Sequence, residues 1–397
     1  MKNLLLVVIM LSHLMFGYSQ NLVTNGSFET KAPGTGCPFQ TGFENGHPAG
    51  WSVPINGFTP DYFFPCATPG TDWYPGNNSQ GCEYPLNGQS YTGLLAMQVS
   101  FNQSTNTFIV NNAGSEYIMQ TLSTPLNAGQ QYYVEFWVSP GSPSTRSTSL
   151  ANNAFVKTLG IHFTKLPLSV GTGAVKGLNH LIPQVPNTFP ATNFYTNTNG
   201  WTKISGTFTP SSGGTYSIII GNFDSGLNTN PPNPSSQPTI QNGARQSYYY
   251  IDAVTIIPSN QTRPDYTLSM TGTSLVCSNS TYTIQNQPFG TTITWTQSSN
   301  LTPISGQGTT NYTVAPINGT VIGPGFVQAT LSGVCSGSNV VLRRDVWMGQ
   351  PTITYHPPGY NPCFDNPYYE GPAVPGLTYQ WSVDNPNVWF YFWNWQC

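Results

Sequence analysis

Charge is what this sequence has least of. Lys, Arg, Asp and Glu together make up 6% of the 397 residues, against roughly 25% in an ordinary soluble domain. With 11 basic and 14 acidic side chains and a net charge of −3, the chain carries no basic footprint for nucleic acid and no polybasic membrane patch. No convincing amphipathic helix can be read after the first residues, and no apolar run there is long enough to span a membrane. GxSxG, HExxH and Gly-rich phosphate loops are absent, as are CxxC pairs and zinc-type Cys/His spacing. These absences turn the reading away from an enzyme. His47, His162, His180 and His356 are isolated, with His162 expected to face outward, and Glu135 beside Trp137 is explained by a strand's outer face. Disorder is excluded as well, because aromatics reach 13% and disordered chains are aromatic-poor. The polar surface must be built from Ser, Thr, Asn and Gln.

The N-terminus has its own logic. Lys2 supplies a positive start, Leu4 to Phe16 is a short apolar run, and Gly17-Tyr18-Ser19 closes with small residues. That pattern predicts a secretory signal peptide over residues 1–20, shorter than the about 20 apolar residues of a membrane helix. The mature protein is therefore expected outside the cell, secreted or at the cell surface. Its 7 Cys become disulfide candidates. The odd count leaves at least one thiol free or paired outside the chain. The pairing of Cys37, Cys66 and Cys82 stays open.

Strands dominate what remains. Between Ser115 and Ser139, Tyr117, Met119 and Thr121 alternate with Ile118, Gln120 and Leu122. After a Pro125–Gly129 turn, Tyr132, Val134, Phe136 and Val138 alternate with Tyr133, Glu135 and Trp137. Period-two alternation of β-branched and aromatic residues predicts half-buried strands. Further strands are expected at Asn21–Glu29, Leu94–Phe101, Leu159–Thr164, Trp201–Thr209, Thr215–Asn222 and Ser247–Ile257. Polar loops interrupt them at Pro140–Ala154, Leu166–Gly200 and Asp224–Gln246. An irregular, aromatic-rich stretch from Thr30 to about Gly93 is long enough to suggest function. The list predicts an all-β sandwich.

The opening NLVTNGSFE and the closing YYYIDAVTI (Tyr248–Ile256) resemble the two outer strands of galactose-binding-like jelly rolls, a group that includes carbohydrate-binding modules. Short pieces between them are similar to exported proteins of gliding Gram-negative bacteria: Thr59-Pro60-Asp61-Tyr62-Phe63, Tyr91-Thr92-Gly93, Glu116-Tyr117-Ile118, Pro125-Leu126, Ala128-Gly129-Gln130 and Gly221-Asn222-Phe223. The resemblance covers residues 21–258. It implies a jelly-roll β-sandwich, export, and attachment to larger surface assemblies; the broader group implies sugar binding. It also implies a structural calcium joining first and last strands, with Glu29 and Asp252 at the matching positions and hard oxygen ligands. Trp73, Tyr74, Tyr62 and Tyr195 lie in loop-like, polar contexts and are the candidate aromatic platforms for a sugar. Trp51, Trp137 and Trp201 lie on or beside strands and are expected in the core.

Pro258 to Pro264 is polar with a Pro at each end, which marks a linker at residues 259–264. Beyond it, Val276–Asn300 and Pro362–Pro386 repeat one pattern: Cys277 to Trp295 and Cys363 to Trp381 span the same 18 positions, with Tyr282 and Tyr368, then Gly290 and Gly376, in equal register. A Cys, a Trp and a second Cys on short alternating strands resemble an Ig-like sandwich and the Ig-like or PKD-like arrays of bacterial surface proteins. The resemblance implies Trp295 packed over a Cys277–Cys335 bridge. An Ig-like module is thus expected over 265–350 and a partial second one over 351–397. That second copy is either abbreviated, with a Cys363–Cys397 bridge, or cut from a longer chain, and its apolar end is expected to be truncated or buried against a neighbour.

The expectation is an exported, non-catalytic cell-surface protein acting in adhesion or carbohydrate binding. Its partner is a glycan or cell-surface polymer, or other proteins of a surface assembly. A purely structural spacer is the competing reading, and a hydrolase hidden in the long loops a third.

Overall fold

Alternation gives this chain strands and nothing else: in the computed structural model no helix occurs among the described residues. The structure describes residues 21–34, 36, 43, 46–54, 59–102, 107–111, 115–141, 156, 159–165, 195, 197–198, 200–223, 245–333, 339–349, 354–356 and 368–370; for 97–102, 107–111, 245–246, 354–356 and 368–370 it describes the backbone alone. The expected signal peptide lies outside them. Two compact units divide the chain, changing over at Tyr266 and Thr267.

In the first unit the short strands β1 (Asp61–Phe63), β2 (Gly76–Asn77) and β3 (Cys82–Glu83) precede the long β4 (Tyr91–Asn102). Then follow β5 (Thr107–Asn111), β6 (Tyr117–Thr121), β7 (Tyr132–Ser139), β8 (Leu159–Thr164), β9 (Thr202–Phe208), β10 (Ser217–Asn222) and β11 (Arg245–Pro258). One sheet runs β1-β4-β11-β7-β9 with β5 beside β4, a second runs β6-β10-β8, and all these pairs are antiparallel. The sheets form a sandwich because one face of each is apolar. Val134, Phe136 and Val138 of β7, with Tyr249, Ile251 and Ile256 of β11, share one core with Ile118, Ile161, Ile218 and Ile220 of the smaller sheet. Burying each such side chain stabilises the fold by about 1.5–3 kcal/mol. His162, expected to face outward, is fully buried on β8, with its ring against Phe223.

Strands are present at every expected site in this unit except the first. Asn21–Glu29 is a chain of turns, with Asn25 and Phe28 at φ of 53° and 61°. Side-chain amides do there what a strand ladder would do. Asn21 accepts from Ile256 N–H (2.9 Å) and donates to Val254 O (2.8 Å). Gln120 accepts from Thr24 N–H (2.9 Å) and donates to Thr24 O (2.7 Å). In a chain so poor in charge, amides satisfy the backbone.

A second core lies on the opposite face of the larger sheet. Phe63, Tyr91, Tyr248 and Tyr250 cluster there, under the stretch that the sequence left irregular. Tyr250 donates to Asn78 Oδ1 (2.7 Å), Asn78 and the Gly76 N–H donate to Tyr91 Oη, and Tyr91 donates to Glu83 O (3.2 Å). Gly93 is required because a Cβ there would collide with the Tyr248 ring, which lies across it to reach Asp61 Oδ2 (2.6 Å).

The second unit begins with β12 (Ser269–Thr271), β13 (Leu275–Val276), β14 (Ser280–Gln285) and β15 (Thr292–Gln297). It continues through β16 (Leu301–Ser305), β17 (Asn311–Pro316), β18 (Gly323–Ser332) and β19 (Val340–Met348). Its sheets are β12-β14-β17-β16 and β13-β19-β18-β15, two layers in which every pair is antiparallel except β13 with β19, which is parallel, an order similar to that of Ig-like sandwiches. Trp295 stacks on Tyr312 in its core, ring centroids 5.0 Å apart and 12° from parallel. Here an expectation is corrected. Cys277 is free and exposed just past β13, so no Cys277–Cys335 bridge lies under Trp295, and Tyr312 fills that role; Cys335 lies outside the described residues. Of the expected partial module, the described part is a small hairpin of β20 (Thr354–His356) and β21 (Tyr368–Glu370).

Candidate functional site

The aromatics expected to greet a sugar divide into two pairs. Tyr62 is 2% exposed and donates to Phe28 O at 2.6 Å. Tyr195 is 7% exposed; its carbonyl accepts from Tyr249 Oη (2.9 Å), and burial raises its phenol to about 12. Both belong to the interior, which corrects their assignment as platforms: Tyr62 stands on β1, and both rings are part of the main core. Trp73 and Tyr74 are half-buried. Trp73 packs on Phe63 at 6.4 Å between centroids, so at most part of its ring meets solvent. Cys66 and Cys82, from the same stretch, are each held in a disulfide.

Glu29 and Asp252 are brought near each other, the charge of Glu29 adding to the rise at Asp252, and both clamp the turn before β4. Gln89 and Ser90 N–H donate to Glu29 Oε1 at 2.9 Å each. Leu86 and Asn87 N–H donate to Asp252 Oδ2 (2.9 and 3.1 Å), and Ala253 N–H donates to Oδ1 (2.6 Å). Burial raises both carboxyls, Asp252 far more, against the pull of these amides. Three of the four oxygens therefore already carry amide donors, whereas calcium takes about six to eight oxygen ligands. Among the described residues no group of three or more His, Cys, Asp or Glu gathers as a metal cluster would. The pair fits a loop clamp better than a calcium cradle.

The residues that sequence reasoning passed over lie beside this clamp. Between Asp252 and Thr255, β11 carries one residue more than β7, and Ala253 sits there at φ 53°. A bulge of this kind re-aims side chains. Across it, on the face away from the main core, three rows run over β11, β7 and β9: Asp252–Trp137–Lys203, Thr255–Glu135–Ser205 and Ile257–Tyr133–Thr207. Direct cross-strand partners share a face, so Glu135 stands at the centre of a three-by-three patch.

The centre is buried and incompletely satisfied. Glu135 is 2% exposed. Tyr133 donates to its Oε2 at 2.6 Å, and burial, followed by that bond, raises the Tyr133 phenol to about 12. Glu135 Oε1 and Trp137 Nε1 are both buried without a hydrogen-bond partner. Leaving such a group unpaired costs about 1–3 kcal/mol. Aromatic walls and two cations surround them. Tyr266 meets Trp137 edge-on at 89° and 6.4 Å, Lys203 Nζ lies 5.6 Å from the Trp137 ring centre, and the Arg263 guanidinium lies 4.1 Å from that of Tyr133. Trp137, expected in the core, is half-exposed on this outer face. Glu135, expected at a solvent-facing position, is buried. The legible signal was the alternation Tyr133–Glu135–Trp137; the burial comes from partners on β9, β11 and residues 259–266, none predictable from β7.

The fold and this patch define an all-β sandwich protein with a sheet-face site. No family model and no curated protein matches the chain. Among solved structures, a β-D-glucuronidase from Dictyoglomus thermophilum is similar at 7% identity and a TM-score of 0.15; the match covers 67% of this chain and 44% of that one. So slight a likeness carries no argument. Among the described residues no helix is long and apolar enough to cross a membrane.

Proposed function

We propose that this is an exported, non-catalytic cell-surface protein that binds carbohydrate, in adhesion or in holding a surface polymer, through the sheet face around Glu135 and Trp137. One observation carries the reading: a buried carboxylate oxygen and a buried indole N–H, both without partners, sit two residues apart on one strand face among aromatic rings. Aromatic rings stack on sugars, and hydroxyl groups supply the donors and acceptors that these atoms lack. Hydroxyl side chains at Thr255 and Ser205 flank the carboxylate. Disulfides at Cys66 and Cys82 suit an oxidising compartment outside the cell, as does the signal-like start of the sequence.

The non-catalytic part rests on Asp252. A glycosidase needs two carboxyl groups free to act on either side of the bond. Asp252, the other acid of the patch, has both oxygens on backbone amides, which leaves Glu135 without a partner for that chemistry. A structural calcium at Glu29 and Asp252 would draw on Glu29 Oε2, the oxygen of the pair that carries no amide.

The test is a glycan array with the full chain, followed by titration of the hits. Trp137→Ala should abolish detectable binding while Trp73→Ala leaves it within about threefold. The reverse pattern would move the site to the loop, and an empty array would leave a structural spacer as the better reading.

A further inference from the structure

Resting on the carbohydrate reading above, we propose that the group this face recognises is the acetamido group of an N-acetylated amino sugar. A carboxylate oxygen only accepts, and an indole N–H only donates. A cation would serve Glu135 Oε1 and leave Trp137 Nε1 unpaired. An anion would serve Trp137 and Lys203 but be set against the carboxylate. What fits is a neutral group that donates to one atom and accepts from the other.

Spacing chooses among neutral groups. Side chains two apart on one strand face are rooted roughly 6.6 Å apart. A single hydroxyl donates and accepts at one oxygen, so its two partners must converge to within about 5 Å. A trans amide points its N–H and C=O in opposite directions, and its partners stand about 7–8 Å apart. An amide therefore matches the spacing of the two rows, whereas a hydroxyl would need the Glu135 and Trp137 side chains to lean together. The acetyl methyl finds an apolar corner between the Trp137 and Tyr266 rings, which meet at 89°. Thr255 and Ser205, in the row of Glu135, are placed for hydroxyls of the sugar ring.

Entry passes the segment 259–266. Residues 260–265 of it are exposed, and it is tied to the sheet by Ser259 N–H donating to Gln131 O (3.0 Å) and by the Arg263 and Tyr266 ring contacts. The sugar must swing Arg263 and Tyr266 aside to reach the two unpaired atoms. Removing the Arg263 contact should ease entry.

Calorimetric titration of the full chain with chitotriose and with cellotriose tests the assignment, since the second sugar carries hydroxyls where the first carries acetamido groups. Chitotriose should bind at least roughly tenfold tighter, the worth of about one good hydrogen bond. Trp137→Phe keeps a ring and loses the N–H; it should remove most of that preference and leave cellotriose little changed. Should Trp137→Phe melt early, Glu135→Gln provides the second variant with the same expected loss. Arg263→Ala should tighten chitotriose. Equal affinity for both sugars, or a preference that survives both variants, would overturn the acetamido assignment while carbohydrate binding stands. Array hits confined to sugars without acetamido groups would do the same. An array with no hits would instead remove the carbohydrate reading itself, and this assignment with it.

Discussion

Gln307 binds Trp295 as a neighbouring strand would: its Oε1 accepts from the Trp295 N–H at 2.8 Å and its Nε2 donates to the Trp295 carbonyl at 2.9 Å. β15 stands at the edge of its sheet, paired among the described residues with β18 alone. Open edges invite pairing with other chains, and one amide side chain closes this one at its centre. Gln307→Ala should destabilise the second unit by about 1–3 kcal/mol, two partly buried backbone bonds being lost. It should also raise self-association in sedimentation runs. Unchanged melting and sedimentation would refute the capping role.

The acids of the first unit set its response to pH. Burial, reinforced by the charge of Glu116, pushes Asp61 up to about 8, and burial pushes Glu83 up to about 7. Glu83 accepts from Ser139 Oγ at 2.6 Å and Asp61 from Tyr248. Both pKa values are raised, so the folded chain holds protons that the unfolded chain has released. That stability is full below about pH 4, where both states are protonated. It declines as pH rises and is gone once the folded values of about 7 and 8 are passed. The melting temperature of the first unit should therefore fall between pH 5 and pH 9, and Asp61→Asn with Glu83→Gln should flatten the slope. A profile that rises toward alkaline pH would contradict this placement of the protons.

Glu29 and Asp252 make a separate prediction about metal. With three of their oxygens on amides, chelator should leave the melting curve unchanged. Asp252→Ala should lower stability by several kcal/mol, because three N–H groups lose their acceptor, each worth about 1–3 kcal/mol. A melting temperature that drops with chelator and returns with calcium would put the ion back at this pair.

Thiol chemistry checks the second unit. Cys277 is exposed and free, and Cys66 and Cys82 are disulfide-bonded. A maleimide added to native protein should label Cys277, and should reach Cys66 and Cys82 only after reduction, as read by peptide mass mapping. Protection of Cys277 would restore the bridge that the Cys–Trp repeat suggested.

Period-two alternation was enough to place the longer strands of the first unit, because a half-buried strand writes its inner face into its own residues; the short β1, β2 and β3, and β5, went unread. Val134, Phe136 and Val138 show this: each is apolar, alternates, and is buried. Asn21–Glu29 misled because only two backbone bonds, Leu22 N–H to Ile256 O and Val254 N–H to Gly26 O, tie it to β11 and side-chain amides make the rest of the long-range bonds that strand backbone usually forms. Tyr62 and Tyr195 misled for a related reason. Tyr62 stands on β1, three residues long and too short to show alternation, and Tyr195 in a stretch rich in Thr and Asn, yet both enter the core shared with strands distant in sequence. The burial of Glu135 was invisible for want of partners: Ser205, Thr255 and Tyr266 lie 70, 120 and 131 positions away. Trp295 was correctly expected inside, while the atoms stacked on it came from Tyr312 and not from sulfur.

Ala253 works as a change of reading frame within a single strand. Before it, Tyr248 and Tyr250 supply the aromatic packing beneath the loops while Tyr249 and Ile251 enter the main core; after it, Val254 and Ile256 enter that core while Thr255 and Ile257 line the patch. Were the strand to pass Ala253 without bulging, the two halves would be out of phase, and one of them would have to turn its tyrosines or isoleucines to the wrong side. The same bulge lets one continuous ribbon of backbone pack a sealed aromatic cluster along half its outer face and carry the Glu135 patch along the other. Evolution could therefore retune the patch by substitutions after Ala253 without disturbing the packing before it.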